Sequence, residues 1–104
     1  MLRRPAVAGR FYPAEPGELV KAIEGYIHPA EQRIQAIGIV VPHAGYMYSG
    51  HVAGAVYSCV ELRSSNILLG PNHTGLGPPL SIMRSGAWLT PLGNWTSIRS
   101  FAKA

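Results

Sequence analysis

The run IQAIGIVV, Ile34 to Val41, is almost continuously apolar and rich in β-branched side chains, and a proline, a histidine and a glycine turn follow it. A run of this length without polar alternation predicts a strand buried on both faces, as in a parallel sheet. A second short run, NILLG at 66–70, has the same character. Between them Val52, Val56, Cys59 and Val60 fall on one face of a predicted helix, behind Ser49 as a candidate cap. Strand, helix and strand within about 36 residues make a βαβ unit, whose strands are parallel and whose crossover is right-handed. The expected fold class is α/β, a mainly parallel sheet with flanking helices.

Upstream, Glu15-Pro16 precedes Leu19, Ile23, Tyr26 and Ile27, a helical pattern with proline where its missing N–H is harmless, and His28-Pro29 ends it. Downstream of Thr74, LSIMRS and AWLTPLG read as short strands near a sheet edge, since Pro91 argues against a central one. A chain of 104 residues has room for one domain, expected over 1–104.

Apolar residues make up 47% and charged residues 13%, which points to a packed chain with an unusually uncharged surface and hints at a partner. The apolar runs fall far short of the roughly 20 residues needed to cross a bilayer, so no membrane span is expected. The opening MLRRPAVAGRFYP is basic but has no apolar core of a signal peptide, because Pro5, Gly9 and Arg10 interrupt it, and a cytoplasmic location follows. The net charge of +4 arises because Asp is absent and Glu scarce. Arg3, Arg4 and Arg10 cluster near the start while the other cations are scattered, so no basic stripe emerges and no nucleic-acid partner is expected. The single cysteine, Cys59, rules out a disulfide framework within the chain and reads as a small core residue.

Two histidines carry the functional expectation. In open parallel sheets, ligands bind beyond the carboxyl ends of the strands. His43 follows the first predicted strand and His73, in GPNHTG, follows the second, so the βαβ unit would carry both to one edge. Neighbouring strands lie about 4.8 Å apart, a gap that two imidazoles can bridge to one metal ion. Tyr46, Tyr48, Asn72 and Thr74 lie close in sequence and offer hydroxyls and an amide that could steady an imidazole or meet a substrate. The alternative is that each histidine plugs its turn by bonding backbone carbonyls. His51, in the first turn of the second helix, and His28, at the end of the first, read as helix-end histidines. GPNHTG lacks the lysine and the hydroxyl placement of a phosphate-binding loop.

The segments RRPAVAGRFYP, VPHAGYMYSG, LGPNHTG and WLTPLG, in this order, closely resemble the Memo family, which includes AmmeMemoRadiSam system protein B and is similar in fold to class III extradiol dioxygenases of the LigB type. The resemblance implies an α/β fold with a metal-binding cleft, with His43 and His73 among the ligands of a divalent ion, iron first and copper or zinc next. It implies an aromatic cleft wall at Phe11, beside which Tyr46, Tyr48, Asn72 and Thr74 are expected to support the ligands or contact a substrate. Family members run to more than twice this length, and their distal part supplies a further ligand, typically a cysteine, that Cys59 does not match. Residues 1–104 are therefore expected to form a single, truncated Memo-like domain. Beyond TPLG the family continues into an extended segment with an acidic residue, whereas this chain reads NWTSIRSFAKA.

Two imidazoles fall short of the three protein ligands usual at catalytic zinc or non-heme iron sites, so whether the chain is an enzyme stays open. The expectation is a metal-dependent, dioxygenase-like oxidoreductase, and the competing one is a non-catalytic module that binds a peptide or small ligand. An incomplete sheet also leads to an expectation of self-association, or of a partner chain that covers the exposed strand edge.

Overall fold

The computed structural model describes residues 1–97. The fold is mixed α/β: strand β1 (Leu2–Arg3), helix α1 (Pro16–Tyr26), helix α2 (Tyr46–Cys59), strand β2 (Ala87–Thr90) and strand β3 (Gly93–Thr96). They belong to two compact units, one of residues 6–63 and the other of residues 1–5 with 64–104. Among the described residues, no helix is long and apolar enough to cross a membrane. The tail read above as a departure from the family pattern lies, from residue 98 onward, outside the described residues.

In the first unit, α1 begins as its sequence dictates. The Glu15 carboxylate accepts the Gly17 and Glu18 N–H groups at 2.9 and 2.7 Å, and Pro16 occupies the first helical position. Helix α2 starts earlier than its sequence suggests. Gly45, not Ser49, is its N-cap, and the Ser49 hydroxyl, already inside the helix, donates to the Ala44 carbonyl.

The buried face of α2 also departs from expectation. Gly50, Gly54 and Ser58 are buried, whereas Val52 and Cys59 are exposed. The reason is steric. A Cβ built on Gly50 would stand 2.8 Å from the Tyr26 ring, and one on Gly54 would collide with the Tyr26 carbonyl group. The bare backbone of α2 therefore seats on the end of α1. Ser58 locks the seat: its hydroxyl donates to the Gly54 carbonyl at 2.6 Å and accepts the His28 N–H at 2.9 Å. Leu19 and Val60 are the buried apolar side chains among the described residues.

The runs at 34–41 and 66–70 do not form the expected strands. Ile34 makes a single parallel bridge to Val60, its N–H donating to the Cys59 carbonyl and its own carbonyl accepting the Glu61 N–H, both at 2.9 Å. Past that bridge the backbone is irregular, and Val40 and Leu69 are each 93% exposed. A strand exists by its ladder, and among the described residues neither run has a partner beyond Val60, so the βαβ crossover is not formed.

The second unit holds a three-stranded sheet in the order β1-β2-β3, parallel between β1 and β2 and antiparallel between β2 and β3. Of the two edge stretches expected here, AWLTPLG supplies β2 and the hairpin turn, while LSIMRS is irregular. Pro91 sits in that turn, and Gly93 leaves it at φ +123°, a conformation open to glycine. Gly86, at φ +102°, lets the Met1 carbonyl come close enough to accept the Ala87 N–H at 3.0 Å and so begin the β1 pairing.

Two outcomes follow for stability. Gly54→Ala is expected to cost about 2 kcal/mol because the clash is with backbone. Gly25→Ala, in α1 with open space around the new methyl, is expected to gain up to about 1 kcal/mol, and denaturant melts compare the two. The backbone N–H groups hold the Glu15 carboxyl below its ordinary range. A carboxyl lowered in the folded state stabilises it above the unfolded value, and that contribution fades as pH falls through the folded value. Glu15→Gln should remove this acid-range loss of helix signal in circular dichroism.

Candidate functional site

Four of the expected site residues belong to the unit of residues 6–63, and one hydrogen bond organises them. The loop 7–12 is a tight turn. The Gly9 N–H donates to the Tyr12 carbonyl at 2.7 Å, and the Arg10 and Phe11 N–H groups donate to the Val7 carbonyl at 3.0 Å. That turn points the Phe11 carbonyl at the start of α2, where it accepts the Tyr46 N–H at 2.8 Å. A Cβ at Gly45 would only reach van der Waals contact with the Phe11 carbonyl oxygen, at 3.4 Å. His43 lies two residues before that cap, so the chain carries Phe11, His43, Tyr46 and Tyr48 into one neighbourhood.

Tyr46 is the hinge of this arrangement. Its ring lies 5.7 Å from that of Tyr12 and 6.1 Å, edge-on, from that of Tyr26, joining the Phe11 loop to α1. The Tyr46 ring is half-buried between the two. Helical spacing marks Tyr26 on the apolar face of α1, while Tyr12, beside the Gly9 turn, carries no such mark. Burial first, and then the neighbouring phenols of Tyr12, Tyr57 and Tyr26, which would carry like charge, push the Tyr46 hydroxyl above its ordinary range. Phe11, His43, Met47 and Tyr48 are exposed around the same helix start.

His73 belongs to the other unit, on an exposed loop shaped by its neighbours. The Asn72 side-chain oxygen accepts the Thr74 N–H, the Thr74 hydroxyl and the Gly75 N–H at 3.2, 3.1 and 3.0 Å. Its amide nitrogen donates to the Leu76 carbonyl at 2.9 Å, and the Thr74 hydroxyl in turn accepts the Leu76 N–H at 3.3 Å. Asn72 and Thr74 thus spend their polar atoms on an Asx turn that closes at Gly75, φ +69°. His43 and His73 each make a further interaction.

The described residues contain no group of three or more His, Cys, Asp or Glu side chains that could hold a metal ion. The donors present are thus short of a complete set: Cys59 is exposed at the end of α2, and no glutamate occurs in either histidine loop.

A family model described as Memo-like protein matches residues 3–101. The chain is 47% identical over 95 residues to a MEMO1 family protein of Aquifex aeolicus, covering 88% of this chain and 35% of that protein. It is 48% identical over 99 residues to a MEMO1 family protein of Thermoplasma volcanium, covering 90% and 36%. A MEMO1 family protein of Archaeoglobus fulgidus is 43% identical over 103 residues, covering 99% and 39%. The chain therefore spans somewhat over a third of the length of these curated relatives. No solved structure matches it.

The packing around Tyr46 predicts an alkaline signature. A phenol raised in the folded state favours that state below the unfolded value, and the contribution is lost as pH rises through the folded value. In a tyrosinate absorbance titration the last of the five tyrosines to ionise should disappear in Tyr46→Phe and persist in Tyr48→Phe.

Proposed function

The chain belongs to the Memo-like protein family, and from that membership we propose that it contributes His43 and His73 to a divalent-metal cleft, with iron the first metal and copper or zinc the alternatives. The observation that carries this reading is the hydrogen bond from the Tyr46 N–H to the Phe11 carbonyl. It joins two of the segments on which the family resemblance rests, RRPAVAGRFYP and VPHAGYMYSG, beside His43. Since the described donors fall short of a metal site, at least one further ligand comes from outside them.

Within such a cleft each residue has a distinct task. His43 and His73 act as neutral imidazole ligands, and Phe11 forms an apolar wall that limits water. Tyr46 and Tyr48 line the approach, and Asn72 and Thr74 act through the turn that carries His73. A bound ion of this kind supplies Lewis acidity and, if iron, access to dioxygen chemistry, which places the reaction with dioxygenase-like oxidoreductases. A cytoplasmic site of action belongs to the same reading. So does association, with a copy of itself or with a partner chain, that covers the exposed apolar residues at 34–41 and 66–70.

A second reading is favoured by the exposure of Phe11, Met47 and Tyr48 together at the start of α2: an aromatic, apolar surface that takes a peptide or small ligand without metal.

Calorimetric titration with Fe²⁺ under anaerobic conditions, and with Cu²⁺ and Zn²⁺, separates the two. One of these ions should bind the native chain, and His43→Ala and His73→Ala should each weaken it at least about tenfold. Equal affinity in all three proteins would remove the cleft and leave the metal-free module.

A further inference from the structure

The β2–β3 ladder shows which groups of β3 face away from β2. Among the described residues β3 has a neighbour on one side only. The Ser97 N–H donates to the Gly86 carbonyl at 3.0 Å, and the pairing continues through Ala87 with Thr96, Trp88 with Trp95, Leu89 with Asn94 and Thr90 with Gly93. Hydrogen-bonded and non-hydrogen-bonded pairs alternate along an antiparallel ladder. Trp95 and Gly93 therefore bond to β2, while Asn94 and Thr96 direct their N–H and carbonyl groups outward. The Ala87 N–H fits the same phase, since it turns away from Thr96 to the Met1 carbonyl.

Side chains in register share a face, so Arg3, Trp88 and Trp95 form one row across the three strands. The Arg3 guanidinium lies 4.3 Å from the centroid of the Trp88 ring, which is 42% exposed. Trp95, 69% exposed, stands at the open edge.

Charge selects the occupant. Among the described residues, 1–5 and 64–97 carry Arg3, Arg4 and Arg84 and no Asp or Glu, whereas Glu15, Glu18, Glu24, Glu31 and Glu61 all fall within 6–63. A second copy docking through the same edge would set two cationic units against each other. A single-stranded nucleic acid could stack on Trp95, but its backbone does not offer the alternating donors and acceptors that Asn94 and Thr96 present. An extended peptide does.

We propose that the β3 edge docks an acidic protein segment in extended conformation. The segment adds a fourth strand through the backbone of Asn94 and Thr96, lays an apolar side chain against Trp95, and is drawn in by the cationic field of this unit. The site is independent of the metal reading, since none of its residues is a proposed ligand.

The test uses the full chain and a short fluorescent peptide that alternates valine and glutamate, followed by anisotropy. Binding is expected to weaken with added salt, and to weaken at least about tenfold for a lysine-for-glutamate peptide and for one N-methylated along its bonding edge. Thr96→Pro removes an outward N–H without touching the β2 ladder, and Trp95→Ala removes the stacking surface. Each should also cost about tenfold. The N-methylated peptide probes the ladder on unaltered protein, so misfolding of a variant does not decide the result. Equal binding of the N-methylated or the lysine peptide would overturn the proposal, as would tighter binding of oligothymidylate that Thr96→Pro leaves unchanged.

Discussion

Tyr26 meets α2 where α2 has no side chains, and the arrangement of residues 6–63 depends on that contact. With hydrogens at Gly50 and Gly54 in place of methyl groups, the α2 backbone lies directly on the last turn of α1. Ser58, one turn further on, ties the two helices by bonding the His28 N–H. Burying a hydroxyl is tolerable there because both its donor and its acceptor capacity are used. Once α2 is seated, its first turn meets the Phe11 loop, and the Tyr46 ring fills the space between Tyr12 and Tyr26. The neighbourhood of Phe11, His43 and Tyr46 is thus built on a helix contact that lies further along the chain than His43.

What was legible in the sequence divides along local and non-local lines. Glu15-Pro16 and His28-Pro29 mark α1 correctly because capping and proline sterics act within a few residues. The start of α2 was misplaced because its cap is tertiary: Gly45 has no capping side chain, and the Tyr46 N–H finds a carbonyl from residue 11. Of the apolar face expected at Val52, Val56, Cys59 and Val60, Val60 alone is buried, since hydrophobic periodicity weighs side chains and gives no credit to a face defined by lacking them. Apolarity at 34–41 and 66–70 describes what those runs would gain by burial, not whether a neighbouring strand is there to bury them.

The site shows the same division. The turns around His43 and His73 were legible because glycines punctuate them. The hydrogen bonds and packing of the flanking residues were not. Asn72 and Thr74 hold their own loop, as the Asn-His-Thr-Gly order signals, and the Tyr46 ring packs against Tyr12 and Tyr26. The third strand β3 is not legible in GNWT, which has no apolar alternation of its own; it exists through the hairpin that pairs Trp95 with Trp88.

The glycine seat can be observed without altering the protein. In solution NMR, ring-current shielding by Tyr26 should move the Gly50 α-protons well upfield of random-coil positions, and strong nuclear Overhauser effects should link those protons to the Tyr26 ring and the Gly54 α-protons to the Tyr26 β-protons. Gly50 and Gly54 α-protons at random-coil positions with no such cross-peaks, in a sample whose α1 and α2 are both formed, would contradict the account.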